Sequence, residues 1–151
     1  MQYWLMKTEP DECSIDDFAE TPNNVIRWDG VRNYQARNFI RNMAIGDEVF
    51  IYHSSCAEIG VVGIVRVTRT AYPDPAQFDT DSPYFDAKSN TERPRWDAID
   101  LQFVRKFNRV LSLAALKSVE ALTDNPLVKK GNRLSVIPFT KAERDAVLSM
   151  L

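Results

Sequence analysis

A single histidine, His53, and two cysteines, Cys13 and Cys56, limit the chemistry open to this chain of 151 residues. Zinc sites built on two or three histidines are excluded. Cys13, His53 and Cys56 lack the paired Cys-x-x-Cys spacing of a structural metal site, so no metal is expected. A serine triad would need His53, yet no Gly-x-Ser-x-Gly elbow is present. Neither a Gly-x4-Gly-Lys-Ser/Thr phosphate loop nor a Gly-x-Gly-x-x-Gly turn occurs, so no nucleotide cofactor follows. What remains for catalysis is His53 beside Ser54 or Cys56, a small-hydrolase arrangement without a third group to orient it.

The elements that would position these residues can be read from pattern. Tyr3-Trp4-Leu5-Met6 forms a buried strand that gives out at Lys7-Thr8-Glu9-Pro10. Ser14-x-x-Asp17 resembles a capping box for a short helix with Ile15 and Phe18 inward. Asn33 can cap a second helix, in which Ala36, Phe39, Ile40 and Met43 share one face and Gly46 follows the end. Residues 47–54 and 59–70 read as the two strands of a hairpin, with Gly60 and Gly63 marking a bulge or a close backbone approach. Residues 73–95, rich in proline and aspartate, lack sustained periodicity and form a long irregular loop, either a functional lid or a surface excursion. A strand resumes at Trp96, and Ser112 caps a short helix. Residues 132–137 form a last strand stopped by Pro138, and Thr140-x-x-Glu143 caps the closing helix. Strands broken by irregular and helical pieces predict an α+β domain around a curved sheet.

Composition sets the outer limits. Hydrophobic residues at 44% and charged residues at 26% are ordinary for a globular protein. A formal net charge of −2 excludes a histone-like polycation, so any nucleic-acid contact must come from local basic patches. No apolar run approaches the roughly 20 residues that span a bilayer. The N-terminal segment lacks the features of a cleaved signal. Two thiols fit a reducing compartment, and a cytoplasmic monomer with no membrane partner is expected.

Four segments together resemble a known family. Tyr3-Trp4-Leu5-Met6-Lys7-Thr8-Glu9-Pro10 and Trp28-Asp29-Gly30-Val31-Arg32-Asn33-Tyr34-Gln35-Ala36-Arg37-Asn38 look like the two leading motifs of EVE domains. Val49-Phe50-Ile51-Tyr52-His53-Ser54 and Gly131-Asn132-Arg133-Leu134-Ser135-Val136 resemble the other two. The match spans residues 1–151 as one domain. EVE domains belong to the PUA-like superfamily alongside YTH domains, which read methylated adenine in RNA. The resemblance implies a PUA-like curved sheet or pseudobarrel flanked by short helices. It also implies a pocket for an unpaired modified base in DNA or RNA, and no catalysis.

A base pocket needs an aromatic face, groups that read the base edge, and cations for the flanking phosphates. Trp28, between charged neighbours at a strand–helix junction, is the stacking candidate, with a core role as its alternative. Trp96 is either a second wall or a core residue, and Trp4 is assigned to the core. Asp29 is an acceptor suited to an exocyclic amine, or a turn former beside Gly30. Lys7, Thr8, His53 and Ser54 end strands and can rim the pocket, although a lone histidine is also a common core residue. The resemblance adds Leu134 and Ser135 from the last motif. Arg32, Asn33 and Arg37 at a helix start form a candidate phosphate cradle, with Lys129, Lys130 and Arg133 as a second basic cluster. A pocket that binds a small molecule or a protein instead is the third reading, alongside the hydrolase.

Overall fold

Strand β1 (Tyr3–Thr8) is apolar on both faces, and the computed structural model places it one strand in from an edge, paired on both sides. Residues 1–151 are described, the side chain of Pro22 excepted. The remaining strands are β2 (Val25–Trp28), β3 (Glu48–His53), β4 (Gly60–Pro73), β5 (Asp97–Ser112) and β6 (Val136–Phe139). They form one six-stranded sheet in the order β2-β5-β4-β3-β1-β6. Only β1 and β3 run parallel; the other pairings are antiparallel. The edges β2 and β6 do not pair with each other, so the curved sheet stays open. This is the expected α+β architecture.

Successive strand residues point to opposite faces, and that alternation divides the core in two. Trp4, Met6, Val49 and Ile51 join Ile15, Phe18, Trp28 and Ile40 beneath helices α1 (Ile15–Glu20) and α2 (Tyr34–Asn42). Leu5 and Phe50 face the other way, onto Phe107, Leu116 and Val147, beneath α3 (Leu113–Lys117) and α4 (Lys141–Leu148). The expected capping boxes at Ser14 and Thr140 are both formed. Asn33 and Ser112 accept from Ala36 and Ala115, as N-caps should.

The sheet bends where β4 and β5 pair, because their register shifts repeatedly along the ladder. Bulges bend a strand and increase its twist. A Cβ on Gly60 would lie 2.1 Å from the Leu111 carbonyl oxygen, and one on Gly63 2.4 Å from that of Arg105. Both glycines therefore mark close backbone approaches. The last strand departs from expectation: it runs through Pro138, which pairs with Trp4. As an edge strand, β6 loses nothing by the missing N–H.

Residues 74–96 are irregular in hydrogen-bonding pattern, yet closely tied. The fully buried Gln77 amide donates to the carbonyls of Asp74 (2.7 Å) and Trp96 (2.8 Å). Its Oε1 accepts from the backbone of Arg95 and Trp96, each at 3.1 Å. One side chain thus does for both ends of the excursion what a ladder does for a hairpin. Elsewhere, His53 fixes α1, its Nε2 accepting the Ile15 N–H at 3.2 Å, which requires the proton to sit on Nδ1.

Two outcomes follow. Gln77→Leu leaves buried backbone groups unpaired and should destabilise the fold by at least about 2 kcal/mol, read from the urea midpoint. Amide exchange should accelerate first in residues 74–96. For His53, burial lowers the pKa from 6.5; Asp16 and Asp17 oppose this and Lys106 reinforces it. The neutral form is favoured when folded, so the unfolded chain takes up the proton first. Stability should therefore fall as pH drops below about 6.5, and His53→Gln should flatten that slope in denaturation curves taken across the window.

Candidate nucleic-acid interface

The ends of three strands open into one cleft of about 970 Å³. Lys7 and Thr8 end β1, Ser54 follows β3, and Ile26, Arg27, Trp28 and Asp29 come from the end of β2 and the turn after it. Backbone bonds hold these ends in place: Lys7 N–H donates to the Ser135 carbonyl and Ser54 N–H to that of Thr8, both at 2.9 Å. The Ser54 hydroxyl also donates to the Thr8 carbonyl, at 3.4 Å. Arg133 and Ser135, just before β6, and Glu9, Asp11, Glu12 and Cys13, after β1, add to the lining.

Trp28 is 9% exposed and stacks on Phe18, with ring centroids 6.3 Å apart and an interplanar angle of 19°. It is therefore both a core aromatic and a lining residue of the cleft. The two roles set against each other by the sequence coexist. The indole N–H groups of the other two tryptophans are engaged by carboxylates, Trp4 by Asp47 (3.1 Å) and Trp96 by Asp86 (2.8 Å). The Trp28 N–H has no partner among the described residues.

Asp29 pairs with Arg27 at 3.2 Å, and both side chains are substantially exposed. Such a pair contributes about 0–1 kcal/mol, so the carboxylate can exchange it for another donor. Lys7 is half-buried with its ammonium 5.6 Å from the Tyr52 ring centre, and burial lowers its pKa. It has no carboxylate partner among the described residues. Burial chiefly, with Asp17, Glu12 and Asp29 adding, pushes the Cys13 thiol up to about 11, so it is not a ready nucleophile.

The turn after Asp29 is built around one buried carboxylate. Asp74 is fully buried and accepts from Gly30 N–H, from Arg32 Nη1 (both 2.9 Å) and from Ala76 N–H (2.8 Å). Arg32 donates twice more to the Tyr84 carbonyl, at 3.0 and 2.8 Å. Gly30 has φ of +77°, and a Cβ there would meet the Tyr84 ring at 2.8 Å. The Tyr84 hydroxyl reaches Glu12, so the excursion walls the cleft from the side opposite β1. No periodicity points to Tyr84; the one available signal is an aromatic pair, Tyr84-Phe85, inside an otherwise polar loop.

Of the other residues nominated from the sequence, Arg32 and Arg133 also line the cleft and the rest lie elsewhere. His53 does not line the cleft; it is held by α1, and no hydrogen bond joins it to Ser54 or Cys56 among the described residues. Trp96 is 5% exposed and packs under Tyr34, away from the lining. Leu134 sits half-buried between the two cores. Of the expected phosphate cradle, Asn33 caps α2, Arg32 pairs with Asp74, and Arg37 donates to the Arg95 carbonyl and to Asn38. Each of these polar groups was read from its proximity to a helix start, where internal demand is just as strong. Lys129 and Lys130 are exposed and outside the lining, whereas Arg133 is within it. Among the described residues no cluster of three or more potential metal ligands forms. No helix among them is long and apolar enough to cross a membrane.

Comparison with known proteins bears on this site. Thymocyte nuclear protein 1 of Homo sapiens is 42% identical over 164 residues, covering 98% of this chain and 73% of that protein. The crystal structure of the human protein in complex with 5-methylcytosine-containing DNA matches with a TM-score of 0.91, covering 99% of this chain and 97% of the other. A crystal structure from Pseudomonas syringae is 55% identical with a TM-score of 0.95, covering 98% of both chains. The YTH domain of Zygosaccharomyces rouxii MRB1 shares the fold at 10% identity, with a TM-score of 0.52 and coverage of 99% and 85%. The cytoplasmic expectation is overturned by the vertebrate relatives, which are named as nuclear proteins. Thiol content reports a reducing environment, and cytosol and nucleus share one. The EVE domain model matches residues 2–150, and the chain belongs to the EVE domain family.

Proposed function

We propose that this protein is a non-catalytic reader that takes an unpaired, modified base of a DNA strand into the cleft. The observation that carries the reading is Trp28, the tryptophan that lines the cleft and whose indole N–H is left without a partner. Its stacking on Phe18 holds the ring rigid, which lowers the ordering cost of binding a flat ligand. The solved complex of the human relative with 5-methylcytosine DNA supports a methylated base as the ligand. The engagement of His53 by α1, with no bond to Ser54 or Cys56, weighs against the hydrolase alternative.

In this reading Asp29 accepts from an exocyclic amine. Lys7, Thr8, Ser54 and Ser135 line the remaining base edge, and Tyr84 forms the far wall. The strand's phosphates lie towards Arg133, with Lys129 and Lys130 beyond it. The cleft is lined by five carboxylates against four cations, and two of those cations, Arg27 and Arg32, are already paired. Selectivity therefore comes from the base pocket and only a modest share of affinity from charge.

The test is a titration of matched single-stranded oligonucleotides carrying cytosine or 5-methylcytosine. Tighter binding of the methylated strand is expected, and equal affinities overturn the reading. Trp28→Ala should lower stability by about 3–5 kcal/mol, because it empties a packed aromatic site. Trp28→Phe is the informative variant, expected to fold and to lose most of the discrimination. Asp29→Asn should erase the difference between strands at little cost in stability. Arg133→Ala should instead weaken both strands alike and reduce the salt slope by about one unit.

A further inference from the structure

Tyr34 opens α2 and is 52% exposed, unusual for a ring that is also stacked. One face lies on Trp96, with centroids 4.8 Å apart and planes 25° from parallel. The Arg37 guanidinium is 4.7 Å from the Tyr34 centroid and 5.9 Å from that of Trp96. Arg37 thus lies over the Tyr34 ring at the margin of the stack, and about half of the Tyr34 side chain remains open to solvent. Trp96 in turn is fixed by its indole bond to Asp86. The platform is rigid before anything binds.

The surroundings are cationic. Arg37 donates to the Arg95 carbonyl and to Asn38, neither of which neutralises it. Arg32, Arg37 and Arg95 stand against the carboxylates of Asp74 and Asp86, leaving a net positive charge. An exposed aromatic ring with an arginine that no carboxylate neutralises is what a stacked base with its phosphate requires.

The platform is also continuous with the cleft. The Arg32 guanidinium lies 5.5 Å from the Trp96 ring centre and 5.6 Å from that of Tyr84. Tyr84 and Arg32 line the cleft. From Tyr34 the contacts run through Trp96 and Arg32 to Tyr84 at the cleft wall.

We infer that Tyr34 is a second, sequence-tolerant stacking site, which takes an unpaired base of the strand outside the cleft while Arg37 meets its phosphate. The inference rests on the reading that the ligand is a nucleic-acid strand, but not on which base the cleft selects. Every base has a π face, so this site binds unmodified strands too. It requires the base to be unpaired, and so favours single strands over duplex.

The experiment uses an unmodified single-stranded DNA oligonucleotide and its duplex at low salt, with folding of each variant checked by circular dichroism. Wild type should bind the single strand more tightly. Tyr34→Leu keeps an apolar cover over Trp96 without a π face; it should lose on the order of tenfold in single-strand affinity. Tyr34→Phe should bind as wild type does. Equal affinity of wild type and Tyr34→Leu for the single strand overturns the inference, as does a wild-type protein that binds neither form. A methylated oligonucleotide run in parallel separates this from the cleft: Tyr34→Leu should lower both affinities and keep their ratio. A collapsed ratio overturns a separate site, and a ratio of one in the wild type strikes at the cleft reading alone.

Discussion

The carboxylate of Asp74 has no contact with solvent and three donors aimed at it: two backbone N–H groups and one guanidinium. A buried charge is tolerated only when paired and hydrogen-bonded. Satisfying this one fixes the turn at Gly30 and the start of the excursion at Ala76. Through Arg32 it also fixes the carbonyl of Tyr84. Asp29 and Trp28 sit immediately before that turn, so the cleft inherits its geometry from a bond made on its outer side. Removing Arg32 would leave the Asp74 carboxylate buried without a cation, which costs more than the pair contributes.

This explains why the most basic segment of the sequence offers fewer free cations than its count of arginines suggests. Between residues 27 and 41 the chain carries four arginines. Arg27 pairs with Asp29, Arg32 with Asp74, Arg41 with Asp97, and Arg37 bonds a backbone carbonyl. Their partners at positions 74, 95 and 97 are distant in sequence and reach α2 only because the excursion folds back. Local charge density in a sequence says how many cations are near; it does not say how many are free.

What the sequence revealed follows the range of the interactions involved. Caps at Ser14, Asn33 and Thr140 are bonds across three residues, and all three formed as read. Gly60 and Gly63 were legible because a missing side chain in a strand has few explanations. Gln77 was not: its bonds to residues 95 and 96 leave no periodic trace, so residues 73–95 looked structureless. Pro138 misled because its effect depends on whether the strand is an edge, which is a property of the sheet. The three tryptophans show the same limit. Their neighbours in sequence could not decide which would line the cleft, since Trp28 and Trp96 differ mainly in what residues 74–96 do.

The formal charge of −2 shapes how such a site must work. A protein that covers many phosphates with cations binds any strand, and its affinity collapses with salt. Here four cations line the cleft and two of them are paired internally, so a long electrostatic footprint is not available. In the proposed reading affinity comes from aromatic contact: Trp28 lines the cleft, and Tyr34 is linked to the cleft wall through Trp96, Arg32 and Tyr84. Stacking is short-ranged and nearly independent of salt, and it acts only on a base already out of its duplex. A reader built this way screens strands first by whether a base is free, and only then by its modification.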